Sequence, residues 1–239
     1  MTMQIVHSFD PITLLGGGEA SVADVMDAVA LAPTCVAADG GAELADRADV
    51  AVAAIIGDFD SVSPQTLARI PPDRQIRVSE QDSTDFDKAL RHIEAPVVVA
   101  VGFTGGRVDH HLAVLHVLAA RPERPCIVLG PSEVTFLCPS DVTLPTEDGD
   151  TVSLFPLGPV GGVSEGLRWP IEGLRFDPAT RIGTSNMATG PVSLQMDAPC
   201  MLVILPRARL AGVIRALACA PQAARWPARE IRYTDPPQP

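Results

Sequence analysis

A chain of 239 residues with 46% hydrophobic content has enough apolar material to build one large or two modest folded domains, which excludes a disordered polymer. Its net charge of -11, from 18 basic and 29 acidic residues with no basic run, argues against nucleic acid or an acidic membrane as partner. The N-terminal Met1-Thr2-Met3-Gln4-Ile5-Val6-His7 lacks the regions of a signal peptide, and no apolar run approaches the roughly 20 residues of a membrane helix, so a cytoplasmic protein is expected.

Along the first part of the chain, apolar runs of strand length alternate with helix-like segments, the pattern of a parallel sheet wrapped by helices. Strands are predicted at Ile12 to Leu15, Thr34 to Ala38, Val52 to Ile56, Val97 to Val101 and Cys126 to Leu129, with a weaker one at Gln75 to Val78. Between them, Val22, Val25, Met26 and Val29 share one helical face, as do Leu112, Leu115 and Ala119. After about residue 131, short runs at Val142 to Leu144, Thr151 to Phe155, Val192 to Met196 and Met201 to Leu205 read as antiparallel strands with no long helix between them.

The expected architecture is therefore α/β: an α/β/α domain over 1–131, an all-β, sandwich-like domain over 132–206, and an extension over 207–239. That extension has a helical patch at Leu210 to Cys219, followed by a tail expected to be mobile. Cys35, Cys126, Cys138, Cys200 and Cys219 are odd in number and form no C-x-x-C pair, so buried thiols are expected rather than a disulfide framework or zinc site.

In a parallel sheet the loops leaving the strand C-termini gather along one edge, where ligands bind in open α/β folds. Here those loops read Gly16-Gly17-Gly18, Asp39-Gly40-Gly41, Asp58-Phe59-Asp60 and Gly102-Phe103-Thr104-Gly105-Gly106-Arg107-Val108-Asp109. Asp58 and Asp60 stand two apart after an apolar strand. In an extended segment that spacing aims both acids at one side, where a divalent cation would neutralise them; a strand-end turn is the other reading.

Thr84 and Asp85 fit a helix N-terminus ahead of Phe86, Ala89, Leu90 and Ile93, and Lys88 shares Asp85's face three residues on. Lys88 is the only lysine, the other 17 basic residues being arginines, and a compact ammonium suits phosphate oxygens. Arg107 and Asp109 introduce the Leu112 helix, as phosphate ligand and carboxylate or as cap. His110, His111 and His116 have the wrong spacing for two metal ligands on one helical face.

Taken in order, Asp39-Gly40-Gly41, Gly57-Asp58-Phe59-Asp60-Ser61, Asp82-x-Thr84-Asp85-x-x-Lys88 and Gly102-x-x-Gly105-Gly106-Arg107-x-Asp109-His110 resemble the motifs of the thiamine pyrophosphokinase family. The resemblance continues through Gly166-Leu167-Arg168-Trp169-Pro170 and Thr184-Ser185-Asn186, as far as about Pro206. The extension from Arg207 is longer than the family pattern.

This resemblance implies a magnesium-dependent homodimer that moves the pyrophosphoryl group of ATP onto thiamine, giving thiamine diphosphate and AMP. Carried onto this chain, it makes Asp58, Asp60, Asp85 and Lys88 catalytic, the three aspartates holding Mg2+. Asp39, Gly40, Gly41, Gln81, Thr84, Gly105, Gly106, Arg107, Asp109 and His110 would lie about ATP, and Trp169, Ser185 and Asn186 about thiamine. For Trp169 a sandwich-core aromatic is the other reading, although its face suits a cationic ligand.

Three alternatives differ in what they leave unused. A pyrophosphokinase with another acceptor, such as a hydroxymethyl pterin, keeps the acidic edge and differs in the second domain. An Asp-x-Asp transferase using nucleotide sugars leaves Gly105-Gly106-Arg107 idle. A nucleotide or thiamine sensor has little need of so many acids.

Overall fold

The computed structural model describes residues 6–229. Its first part contains β1 (Val6–His7), β2 (Ile12–Leu15), β3 (Thr34–Ala38), β4 (Ala54–Gly57), β5 (Gln75–Arg77), β6 (Ile93–Glu94), β7 (Val98–Val101) and β8 (Cys126–Leu129). Five helices alternate with them: α1 (Val22–Leu31), α2 (Gly41–Arg47), α3 (Pro64–Arg69), α4 (Asp85–Arg91) and α5 (Val108–Ala120). β2, β7 and β8 pair in parallel, as do β3, β4 and β5. β3 packs alongside β2, where Ile12 and Pro33 make an isolated bridge, and the short β1 and β6 pair with each other.

Strict alternation along these strands splits the core between the two sheet faces. Leu15, Val99, Val101, Ile127 and Leu129 face one apolar layer with α1 and α2. Ile12, Leu14, Val98, Ala100, Cys126 and Val128 face the other, under α4 and α5. The helices turn differently from the expected faces. Val22 and Met26 are 43% and 50% exposed, while Val25 and Ala28 are fully buried; on α5, Leu112 is exposed, and Val114, Val117 and Leu118 pack inward. Val25 and Val29 on α1, and Leu115 and Ala119 on α5, do pack inward, so each expected face is right in part and rotated.

The second part contains β9 (Glu133–Leu137), β10 (Asp141–Leu144), β11 (Thr151–Pro156), β12 (Val160–Leu167), β13 (Arg175–Phe176), β14 (Thr184–Met196) and β15 (Met201–Pro206). β14 pairs with β11 through its first residues and with β10 and β12 through its last, Gly190 and Pro191 lying between. β9 pairs antiparallel with both β8 and β15, so the sheet passes without a break from the first part into the second. The apolar layer that covers Leu15 and Val101 likewise continues to Phe136, Leu154, Phe176 and Val203.

Beyond β15, α6 (Leu210–Ala218) buries Leu210, Val213, Ile214 and Leu217. The following segment is docked rather than loose as far as it is described. Ala224 is buried, its carbonyl accepts from Ser140, and the Trp226 indole donates to the Cys138 carbonyl at 2.8 Å. The rest of the tail expected to be mobile, 230–239, lies outside the described residues, as does 1–5. Cys35, Cys126 and Cys138 are buried, but Cys200 is half-buried and Cys219 exposed, contrary to expectation. Among the described residues, no helix is long and apolar enough to cross a membrane.

Candidate active site

Asp39, at the end of β3, has φ +40°, and Phe59, just past β4, has φ +69°. Such conformations are strained for residues with side chains and persist where the surroundings enforce them. The enforcement here is mutual. Asp39 accepts from the Phe59 N-H through Oδ2 and from the Ser61 N-H through Oδ1, both at 3.2 Å. Asp58 and Asp60 are thus set by a hydrogen-bonded turn, and not by the alternation of an extended strand as their spacing implied. Gly41 follows because α2 starts against β2: a Cβ there would lie 2.0 Å from the Leu15 carbonyl oxygen.

Asp39, Asp58 and Asp60 each bring one carboxylate oxygen within 4.8 Å of the others. An all-oxygen donor set of this charge fits a hard cation such as Mg2+. Electrostatics gives the same reading. Burial first, then a hydrogen bond to Asp58 and the charge of Asp85, push the Asp39 carboxyl up to about 6, so the neighbouring acids add to what burial does.

Asp58 goes the other way. Its bond to Lys88 holds it down to about 2. Lys88 is only 2% exposed, and its Nζ lies 3.0 Å from Asp58 and 3.3 Å from Asp85. Burial opposes the ammonium charge, but these two carboxylates more than offset it and raise the lysine above its usual range.

Thr84 caps α4 by accepting from the Asp87 N-H, and the Gln81 amide reaches Asp58 Oδ2 at 3.3 Å. Asp85 therefore stands beside the cluster as a partner of Lys88; it is not one of the three converging acids. Gly40 lies against Ser61, on the same edge.

The other expected residues are more dispersed. Arg107 and Asp109 form an exposed two-pronged pair at 3.1 and 2.6 Å, and His110 beside them is exposed. Gly105 and Gly106 meet Glu19, whose carboxylate accepts from the Gly106 N-H at 3.1 Å. From this loop an apolar groove of about 800 Å³ runs between α5 and the sheet, lined by Leu112, Leu115, Phe155 and Leu157.

In the second part, Trp169 is 55% exposed with the Arg168 guanidinium 5.2 Å from its ring, so it is not a core residue. Asn186 is buried and spends its amide on the Trp169 backbone, accepting from its N-H at 3.2 Å and donating to its carbonyl at 2.7 Å. Ser185 is exposed on β14.

Two contributors escaped the sequence reading. Arg77, at the end of β5, donates to the Asp58 carbonyl at 2.9 Å and lies 4.8 Å from the Phe59 ring. Its place at a strand C-terminus on the same edge was a usable signal. Glu19 had none, since its contact spans 87 residues.

Fold and site together define a mixed α/β protein with a cluster of three aspartates at the C-terminal edge of its parallel strands. Two family models match the chain: "Thiamin pyrophosphokinase, catalytic domain" over residues 26–129 and "Thiamin pyrophosphokinase, vitamin B1 binding domain" over residues 140–201. The chain belongs to the thiamin pyrophosphokinase family.

Among curated relatives, thiamine pyrophosphokinase 2 of Oryza sativa subsp. japonica is 25% identical over 171 residues, covering 63% of this chain and 64% of that protein. The thiamine pyrophosphokinase of Bacillus subtilis (strain 168) is 37% identical over 68 residues, 26% of this chain and 32% of that one. The matches thus span less than two thirds of these relatives. In fold, the chain is similar to thiamin pyrophosphokinase from Geobacillus thermodenitrificans, with 21% identity, 82% and 96% coverage and a TM-score of 0.66. It is also similar to that from Candida albicans, with 16% identity, 84% and 93% coverage and a TM-score of 0.69.

Proposed function

We propose that this protein transfers the pyrophosphoryl group of ATP to the hydroxyethyl oxygen of thiamine, releasing AMP. The observation that carries the reading is the convergence of Asp39, Asp58 and Asp60, with Lys88 buried beside them, inside a chain matched by both models of the family. Phosphoryl transfer asks a protein mainly to position an in-line nucleophile and neutralise charge, which is what such an edge can do.

In the proposed mechanism, Asp58 and Asp60, with Asp39 behind them, would hold Mg2+, whose contribution when bound would be to offset charge on the transferred phosphates. Lys88 keeps Asp58 ionised and adds a positive charge to the same edge. The thiamine oxygen attacks the β-phosphorus, the bond to the oxygen bridging α- and β-phosphorus breaks, and that oxygen leaves on AMP. Asp85, outside the three-acid cluster, receives the hydroxyl proton. Arg107, released from Asp109, and the N-H groups of Gly105 and Gly106 contact the nucleotide, with Gln81, Thr84, Gly40, Gly41 and His110 about it.

Residues 1–131 form the catalytic, ATP-binding domain in this reading and 132–206 a sandwich-like thiamine-binding domain. There Trp169 offers its exposed face to the thiamine cation, with Ser185 beside it and Asn186 fixing the Trp169 backbone. The active form is a homodimer and the setting cytoplasmic. Val108 and Leu112, 72% and 62% exposed on α5, are the kind of apolar side chains a second copy would cover.

The test is incubation of purified protein with ATP and Mg2+, offering thiamine or a hydroxymethyl pterin in parallel. Product with thiamine alone is expected; product with the pterin alone would replace the acceptor.

A further inference from the structure

Behind Asp85 and Lys88 lies a set of charges that the proposed reaction leaves unused. Asp87 is 4% exposed and, two residues on from Asp85, projects from a different side of α4. Arg121, at the end of α5, grips it with two bonds, Nε to Oδ1 at 2.7 Å and Nη2 to Oδ2 at 3.1 Å. Arg91 Nε lies 3.3 Å from Asp87 Oδ2, while its Nη2 pairs with Glu80 and reaches Ser83 Oγ at 3.1 Å. The Ser83 hydroxyl also donates to Glu80. Charges of alternating sign, Glu80, Arg91, Asp87 and Arg121, therefore run from the loop ahead of α4, through that helix, to the end of α5.

Stability alone is a poor reason for such a chain. Apolar residues of similar volume would join two helices as well or better, because burying ions is unfavourable unless each is fully paired. What forked guanidinium pairs add is direction: they fix rotation and register, which apolar contacts leave loose. The two things fixed here are the loop that carries Gln81 and the helix that carries Lys88, and both side chains end on Asp58 Oδ2.

We propose that Arg91 and Asp87 are positioning residues, holding the Glu80–Thr84 loop and α4 so that Gln81 and Lys88 meet Asp58 and keep the acidic cluster shaped for its cation. This rests on the function proposed above.

The experiment compares wild type, Arg91→Met, Arg91→Lys and Glu80→Gln by thermal melt, by Mn2+ titration of the substrate-free protein and by steady-state kinetics. Groups bonded directly to a metal ligand typically matter by 10–100-fold, and Arg91 acts one contact further out through Gln81 and Lys88, so Arg91→Met is expected to weaken Mn2+ binding and lower kcat about threefold to tenfold each, with the thiamine KM within about twofold. Arg91→Lys recovers part of both. A lowered melt with wild-type Mn2+ affinity and kcat would reduce the network to scaffolding and overturn the proposal. If Arg91→Met does not fold, Glu80→Gln decides by the same two readouts. If wild type makes no thiamine diphosphate, the functional reading fails while the Mn2+ titration still judges the network.

Discussion

Asp39 is the residue whose chemistry is most sharply set by its surroundings. It is buried, its two oxygens hold the Phe59 and Ser61 N-H groups, and its carboxyl is raised from 3.8 to about 6. A carboxyl raised on folding contributes stability that is fully present below its unfolded value and is lost as pH rises through the folded one. The metal-free protein should therefore lose thermal stability between about pH 4 and pH 6, and Mg2+ should restore it on the alkaline side. Asp39→Asn cannot ionise and should lack that step; equal pH slopes for the two proteins in EDTA would count against the cluster.

Asp58→Asn and Asp60→Asn are expected to abolish turnover; Asp60→Asn, at an exposed position, should leave the melt within a few degrees, whereas Asp58→Asn should lower it, because it takes a charge partner from the buried Lys88. Normal turnover in either would refute the metal assignment. The acids themselves were legible in sequence because the motif is local. How they converge was not, since it depends on Asp39 reaching about 20 residues along the chain to bond the turn, and on Arg77 stacking over Phe59.

At the scale of elements, the parallel strands were readable because both faces are buried and the runs are continuously apolar. β9 and β12 were missed for opposite reasons. Glu133-Val134-Thr135-Phe136-Leu137 alternates openly and offered a period-2 signal that went unused. Val160 to Leu167 carries three glycines, which reads as a turn, and only pairing with β14 makes it a strand. The helix faces were only half readable: Val25, Val29, Leu115 and Ala119 do pack inward, but apolar residues on neighbouring faces, exposed Val22, Met26 and Leu112 against buried Val114, Val117 and Leu118, left the rotation ambiguous.

Gly41 shows a dependence on close approach. With a Cβ only 2.0 Å from a backbone oxygen, Gly41→Ala must push α2 off β2, at a cost of roughly 3 kcal/mol. Denaturant unfolding measures it, and a loss under about 0.5 kcal/mol would show that the contact relaxes freely.

For the whole molecule, the boundary near residue 131 marks a change of pattern but not a break in structure. β8 continues through β9 into the second part, and one apolar layer serves both. A fragment of residues 1–131 would expose the β8 edge and the apolar face that Phe136 and Val134 cover, so it is expected to aggregate and to lack a cooperative melt. The full chain should unfold in a single transition. A soluble fragment with its own sharp melt would contradict this. The continuity had a local signal, two strand runs joined by a short turn at Gly130-Pro131-Ser132, but the pairing of β9 with β15, about 70 residues on, had none.

The central claim, pyrophosphoryl transfer at the Asp39, Asp58 and Asp60 edge, is tested most directly by the nucleotide left after incubation with ATP, Mg2+ and thiamine. The account predicts AMP, formed only when thiamine is present and in step with thiamine diphosphate. ADP as the product, or AMP formed equally without thiamine, would contradict it.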